Sequence, residues 1–279
     1  MDGHQPAGST AHGPWTVDTG MRHTGLRVLE LGPGGSQPFR TQEREVIVLP
    51  LSGSCSVRRG PQEFELAGRK GVFDGVSDFA YVPRRSDAVL SSPGGGRFAL
   101  ASGTALRDLP FRRGPAEGVP VETRGSGSCL RRVHNLASAD GFACDRLIVV
   151  EVLTPDGNWS SYPPHKHDEH TATESELEEV YYFEIGRGGF GQHRLGGSPP
   201  GRAGETAEVR TGDVVLVPDG WHGPSAALPG YPMYYLNVMA GPHDERAWRI
   251  TDDPEHAWIR ETWDAAPAAS GTPPTEGAS

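Results

Sequence analysis

Apolar residues in this chain come in short runs closed by Gly, Pro, Ser or Asp, and almost no stretch carries the 3.6-residue spacing of an amphipathic helix. From Leu26 onward, residues 27–31, 45–51, 54–57, 64–66, 79–82, 88–90 and 98–101 each read as a strand. A Pro/Gly/Arg-rich stretch at 110–127 interrupts the series. A second series follows at 132–136, 147–153, 161–167, 179–185, 190–195, 207–209, 214–217 and 233–239. The polar segment 168–178 breaks its rhythm as a loop or short helix.

The two series share a layout. Each contains a Glu-Val strand, at 45–48 and at 179–182, and each has a later apolar strand that ends in proline, at Pro83 and at Pro218. This internal echo predicts an all-β chain built from two jelly-roll β-barrel domains in tandem. The expected division is a flexible N-terminus at 1–21, one barrel at 22–121, a second at 122–263 and a disordered tail at 264–279.

The chemistry gathers in the second half. Side chains alternate along an extended chain, so His165 and His167 face one way and Lys166 the other. Glu179 opens an apolar strand, where a carboxylate without a partner is costly to bury. Asp168, Glu169, Glu174, Glu176 and Glu178 also lie near the histidines, as does His170, and read as a solvated acidic loop. The run from Gly212 to His222 is a strand, a Pro/Gly turn and a histidine that returns to the barrel mouth. His165, His167, Glu179 and His222 thus form a four-ligand set for one divalent metal ion with open positions for substrate, a catalytic rather than a closed structural site. Zinc and manganese come first, and iron, nickel and cobalt also suit these ligands. The first half carries Glu45 in the place of Glu179 but no histidine near it, so its barrel is expected to bind no metal.

The two-part pattern resembles the cupin motifs, with departures. One residue rather than two separates Gly220 from His222, Ala226 stands where many cupins carry Asn, and Glu179 lies twelve residues beyond His167. The runs 159–168, 178–183, 189–194, 219–224 and 234–242 resemble the 5-deoxy-glucuronate isomerases of myo-inositol catabolism, over about residues 25–263. The four ligands also match, in order and type, those of the 4-deoxy-5-ketouronate isomerases of pectin breakdown. The resemblance implies a bicupin that interconverts 5-deoxy-D-glucuronate and 2-deoxy-5-keto-D-gluconate, an aldose–ketose isomerisation through a metal-stabilised enediolate. Tyr181, His193 and Lys166 are the candidates for the proton-carrying group. Arg194 and Arg132, with Gln192 beside the former, are the candidates for binding the uronate. A metal-dependent cupin dioxygenase and a non-catalytic sugar-binding bicupin are the rival readings.

Composition narrows the partners. The 279 residues include 38 Gly and 25 Pro, which favours many turns. A net charge of −10 without a basic stripe argues against nucleic acid, and it requires a local cationic pocket for any anionic substrate. Cys55, Cys129 and Cys144 are too few and too scattered for a disulfide framework or a zinc ribbon. The polar start has no signal-peptide core, and no apolar run approaches the roughly 18–20 residues of a membrane helix. A cytoplasmic protein acting on a small-molecule deoxyuronate is expected, without a membrane partner and with a homo-oligomer left open.

Overall fold

The run 214–217 is apolar at every position, and 233–239 at every position but Asn237, rather than at alternate ones, because the sheet they enter is buried on both faces. The structure is a computed structural model that describes residues 3–7, 15–17, 20–196 and 204–264. Seven antiparallel strands lie in the order Val121–Arg124, Arg131–Ala137, Ile148–Thr154, Met233–Ala240, Glu178–Ile185, Val214–Val217 and His4–Gln5. One face, through Val150, Tyr181, Phe183, Val215 and Tyr235, fills the core of the C-terminal half. The other, through Val149, Val180, Tyr182, Leu216 and Val238, packs on Leu26, Val28, Ile47, Leu49 and Ala101 of the N-terminal half. A six-stranded sheet covers the inner face. It runs Glu205–Val209, Gly191–Leu195, His222–Ala227, His165–Lys166 and Thr251–Asp252, with Trp159–Ser160 also on His222–Ala227.

The N-terminal half repeats this plan and has its own core of Val46, Val48, Val57, Leu90, Phe98 and Leu100. Its axis is Arg44–Arg59, a single strand where the sequence predicts two. The first part pairs with Phe79–Val82 and Gly96–Thr104, the second with Gln62–Arg69 and Asp87–Ser92. The strand bends between the two sheets where its register shifts, near Pro50 and Gly53. Gly53 has a φ of 82°, and a Cβ there would meet the Gly95 carbonyl oxygen at 2.4 Å. The two halves stand back to back in four layers, and the described residues are all-β as the sequence predicts, apart from short 3-10 turns and one helix, Ile259–Asp264. Among the described residues no helix is long and apolar enough to cross a membrane.

Several local expectations change. The strand at 161–167 shrinks to His165–Lys166, because Pro163 and Pro164 have no N–H to give a ladder. Gly35–Arg40 is a strand that polarity hides: it pairs only with Asp87–Ser92 and buries only Phe39. The N-terminus read as flexible contributes two short strands. His4–Gln5 pairs with Val214–Val215, and Trp15–Val17 with Leu26–Val28. Asp213 fixes the first by accepting from the Ala7 N–H at 2.9 Å and lying 3.1 Å from His4 Nε2. Residues 265–279, the bulk of the tail read as disordered, lie outside the described residues.

Glu45 and Glu179 are not equivalent, although their strands read alike. Val46 and Val48 face their own barrel core, whereas Val180 and Tyr182 face the other half. Glu45 therefore points out of its barrel into the interface. Its carboxylate accepts from the N–H groups of Asp145, Arg146 and Leu147, each at 2.7 Å, and from Tyr81 Oη at 2.8 Å. A second tie crosses nearby, where buried Arg69 pairs with buried Glu151, which also accepts from Tyr234 Oη at 2.8 Å and lies 3.1 Å from His134 Nδ1. His134 is thus part of the interface.

Candidate metal centre

Glu179 projects from the seven-stranded sheet towards the facing layer, which carries His165 and His222 as direct cross-strand partners. His167 follows one residue past its strand. All four side chains are buried. Ligand atoms of His167, Glu179 and His222 lie within 4.8 Å of one another. The His165 ring centre is 4.5 Å from that of His222.

The tautomers decide what this cluster can do. His165 Nδ1 lies 3.0 Å from the Pro163 carbonyl, His167 Nδ1 2.9 Å from that of Leu177, and His222 Nδ1 3.1 Å from that of Gly220. A carbonyl only accepts, so each Nδ1 carries the proton, and each neutral ring keeps its lone pair on Nε2. Glu179 Oε2 lies 3.0 Å from His167 Nε2 and 3.1 Å from His222 Nε2. Lone pairs thus converge on a buried carboxylate, and Glu179 Oε1 and His222 Nε2 have no hydrogen-bond partner. This arrangement lacks a positive charge and fits a divalent cation, with carbonyls fixing the rings from behind.

The electrostatics agree. Burial, then the neighbouring His222, pushes His165 well below the usual histidine range and keeps it neutral. Burial opposes ionisation of Glu179, yet His167 and His222 outweigh it and hold the carboxyl well below its usual range. Burial pulls His167 down, but the facing Glu179 carboxylate outweighs it and raises it, a demand for positive charge that a cation between the two would meet.

Beside the cluster lies a pocket of about 190 Å³, with His165 and Tyr181 in its wall and Arg124, Arg131, Asn237, Trp248 and Arg260 around it. A larger hollow of about 340 Å³ at Arg27, Arg40 and Arg44 is lined by none of the four cluster residues.

The KduI/IolB family model matches residues 5–259. The chain belongs to this family. It is 40% identical over 247 residues to the 5-deoxy-glucuronate isomerase of Geobacillus kaustophilus, covering 87% of this chain and 88% of the relative. The corresponding isomerase of Bacillus subtilis is 36% identical over 254 residues, 90% of this chain and 92% of the relative. The crystal structure of an IolB-like protein from Salmonella typhimurium superposes with a TM-score of 0.86 at 33% identity, over 93% of this chain and all of that one. Bacillus subtilis oxalate decarboxylase, at 14% identity, superposes with a TM-score of 0.57 over 82% of this chain and 71% of the decarboxylase, a likeness of fold alone. The resemblance in the sequence is borne out, and the relatives favour an isomerase over the dioxygenase and non-catalytic readings.

The other residues singled out from the sequence divide sharply in this KduI/IolB-family chain. Tyr181 lines the pocket, and its hydroxyl lies 3.2 Å from Ser161 Oγ, which lies 3.1 Å from Tyr235 Oη. Burial, then the Glu179 charge, raises the Tyr181 phenol well above its usual range, so it stays protonated. His193 is buried behind Tyr181, ring centres 4.6 Å apart, with Nδ1 2.8 Å from Ser225 Oγ. Burial, then His222, lowers His193 to about 3, too low for a base near neutral pH. Lys166 points away as alternation predicts and is held by Asp168, Glu169 and Glu174 at 2.5, 2.8 and 3.1 Å.

The three uronate-binding candidates fall outside the pocket. Arg132 and Gln192 are exposed. Arg194 is half-buried, with Nη1 3.4 Å from the Gly223 carbonyl. Alternation supplies the reason: Arg131 and Val133 share the pocket face, so Arg132 turns to solvent. Asn237 was legible as the one amide in an apolar run. Trp248 and Arg260 arrive from a distant segment and had no local signal.

Proposed function

We propose that this chain is a cytoplasmic, metal-assisted isomerase that interconverts 5-deoxy-D-glucuronate and 2-deoxy-5-keto-D-gluconate in myo-inositol breakdown. One observation supports the metal-assisted part: the Nε2 lone pairs of His167 and His222 converge on one buried carboxylate, and the His165 ring stands 4.5 Å from that of His222. His165, His167, Glu179 and His222 would hold one divalent ion, zinc or manganese by preference. When bound, the ion supplies positive charge against the negative charge that develops on the carbonyl and neighbouring hydroxyl oxygens of the sugar.

The rest falls to the chain. The second-half core excludes bulk water beneath the pocket, which strengthens every charge interaction there. Tyr181, kept protonated, is suited to give a hydrogen bond or proton to a substrate oxygen, and Ser161 and Tyr235 continue its hydroxyl chain. No redox change is involved, so neither oxygen nor a nicotinamide is needed. The test is conversion of 5-deoxy-D-glucuronate by metal-loaded protein, followed by NMR in deuterated water. Turnover is expected to be equal in air and under nitrogen, with solvent deuterium entering at the carbon that receives the proton. Oxygen dependence, or no conversion of any deoxyuronate, would overturn the reading.

A further inference from the structure

The pocket beside the cluster combines an apolar wall of Val133, Val152 and Ile250 with several hydrogen-bond donors, and no acidic residue among those described lines it. Three guanidiniums enter it. Two have their own counter-charges: Arg124 pairs with Glu122 at 2.6 Å, and Arg260 Nη2 donates to Asp252 at 2.7 Å. Arg131 has none. It is 8% exposed, and its donor bonds go to the carbonyls of Cys129 at 3.1 Å and Tyr162 at 3.5 Å. The Trp263 ring lies 5.4 Å from both the Arg131 and the Arg260 guanidinium, which brings two like charges to one aromatic ring. A buried cation without a paired carboxylate is destabilising, and an anionic ligand removes that cost. Two further donors are buried without partners in the same wall, Asn237 Nδ2 and Trp248 Nε1. A donor surplus of this kind suits a molecule rich in acceptor oxygens.

We propose that Arg131 is the receptor for a ligand carboxylate, and that Asn237 and Trp248 bind hydroxyls of the same small sugar acid. The acid would lie between Arg131 and His165, with its reacting end at the cluster. A pocket of about 190 Å³ is small beside the roughly 300 Å³ and upward of drug-sized sites, which favours a single sugar acid over an oligosaccharide. The ligand class rests on the pocket; the identification of the acid as 5-deoxy-glucuronate rests on the isomerase reading. It also answers the problem posed by a chain of net charge −10, which needs a local cationic site to hold an anion.

The test separates binding from turnover. Reducing the aldehyde of 5-deoxy-glucuronate to an alcohol gives an acid that does not isomerise, and its methyl ester lacks the charge. Calorimetry on the metal-loaded protein should find the ester about 100-fold weaker than the acid, the loss expected of a charge-assisted forked pair. Arg131→Met should weaken the acid by a similar factor and leave the ester nearly unchanged, while Arg131→Lys should recover part of the loss. Arg132→Ala, on the exposed side, should change neither. Equal binding of acid and ester by the unaltered protein would overturn the proposal even if Arg131→Met fails to fold. So would acid affinity within about threefold of the unaltered protein in a folded Arg131→Met, or tighter binding of glucose 6-phosphate than of the acid. Arg131-dependent binding without any turnover would leave this assignment standing and remove the isomerase reading instead.

Discussion

The N-terminal half reaches into the sheet that carries Glu179, and removing that grip is expected to be costly. Arg69→Met deletes a guanidinium that is 2% exposed and leaves Glu151, 0% exposed, without its cation. The variant also loses donor bonds to the carbonyls of Pro50 at 3.1 Å and Gly75 at 2.8 Å. Breaking a buried ion pair from one side costs about 3–5 kcal/mol, because the remaining charge stays desolvated. At about 2 °C per kcal/mol for a chain of this size, Tm should fall by about 6–10 °C. Burial opposes ionisation of Glu151, but Arg69 and then His134 outweigh it and hold its carboxyl down to about 2. A depressed carboxyl stabilises the fold fully above its unfolded value, near 4.5, and that contribution disappears as pH falls towards 2. Arg69→Met removes the largest support of that depression and leaves burial opposing ionisation, so the stability gap between the two proteins should narrow as pH falls towards 3. Arg69→Met/Glu151→Leu removes both charges and should recover half or more of the loss. Denaturant and thermal unfolding across pH 3–8 measure all of this. A single variant within about 1 kcal/mol of the unaltered protein, or a gap that widens in acid, would refute the reasoning.

His222→Ala should lose most of the single metal equivalent by elemental analysis while keeping its far-UV circular dichroism, since both barrel cores are independent of the cluster. Glu45→Gln should keep its full metal content but unfold earlier by about 1–3 kcal/mol, because one of its oxygens becomes an amide donor facing backbone N–H groups. Tyr181→Phe should lower kcat by about 10²–10⁴-fold with a smaller change in KM, whereas Lys166→Met should move kcat by less than about threefold. Stopped initial-rate measurements over a substrate range distinguish the last two.

Local pattern determined a large part of this protein. Turn residues around short apolar runs specified strands, and their repetition specified two similar halves. Alternation across His165, Lys166 and His167 separated two ring-bearing positions from one solvent-side cation, and a carboxylate at the head of an apolar strand marked Glu179. Inside a doubly buried sheet the same reasoning fails. Both faces of Arg44–Arg59 and Glu178–Ile185 are apolar, so periodicity tells which residues share a face but not which face is the barrel interior. Glu45 and Glu179 therefore look alike in sequence and point opposite ways in space, one into an interface and one into the cluster. Arg131 and Arg132 differ by the same parity, which only the packing of Arg131–Ala137 resolves. Asn237, Trp248 and Arg260 meet at one pocket because a strand, an irregular segment and a C-terminal helix converge there. That convergence is a property of the packed chain, since no local period links residues so far apart in sequence.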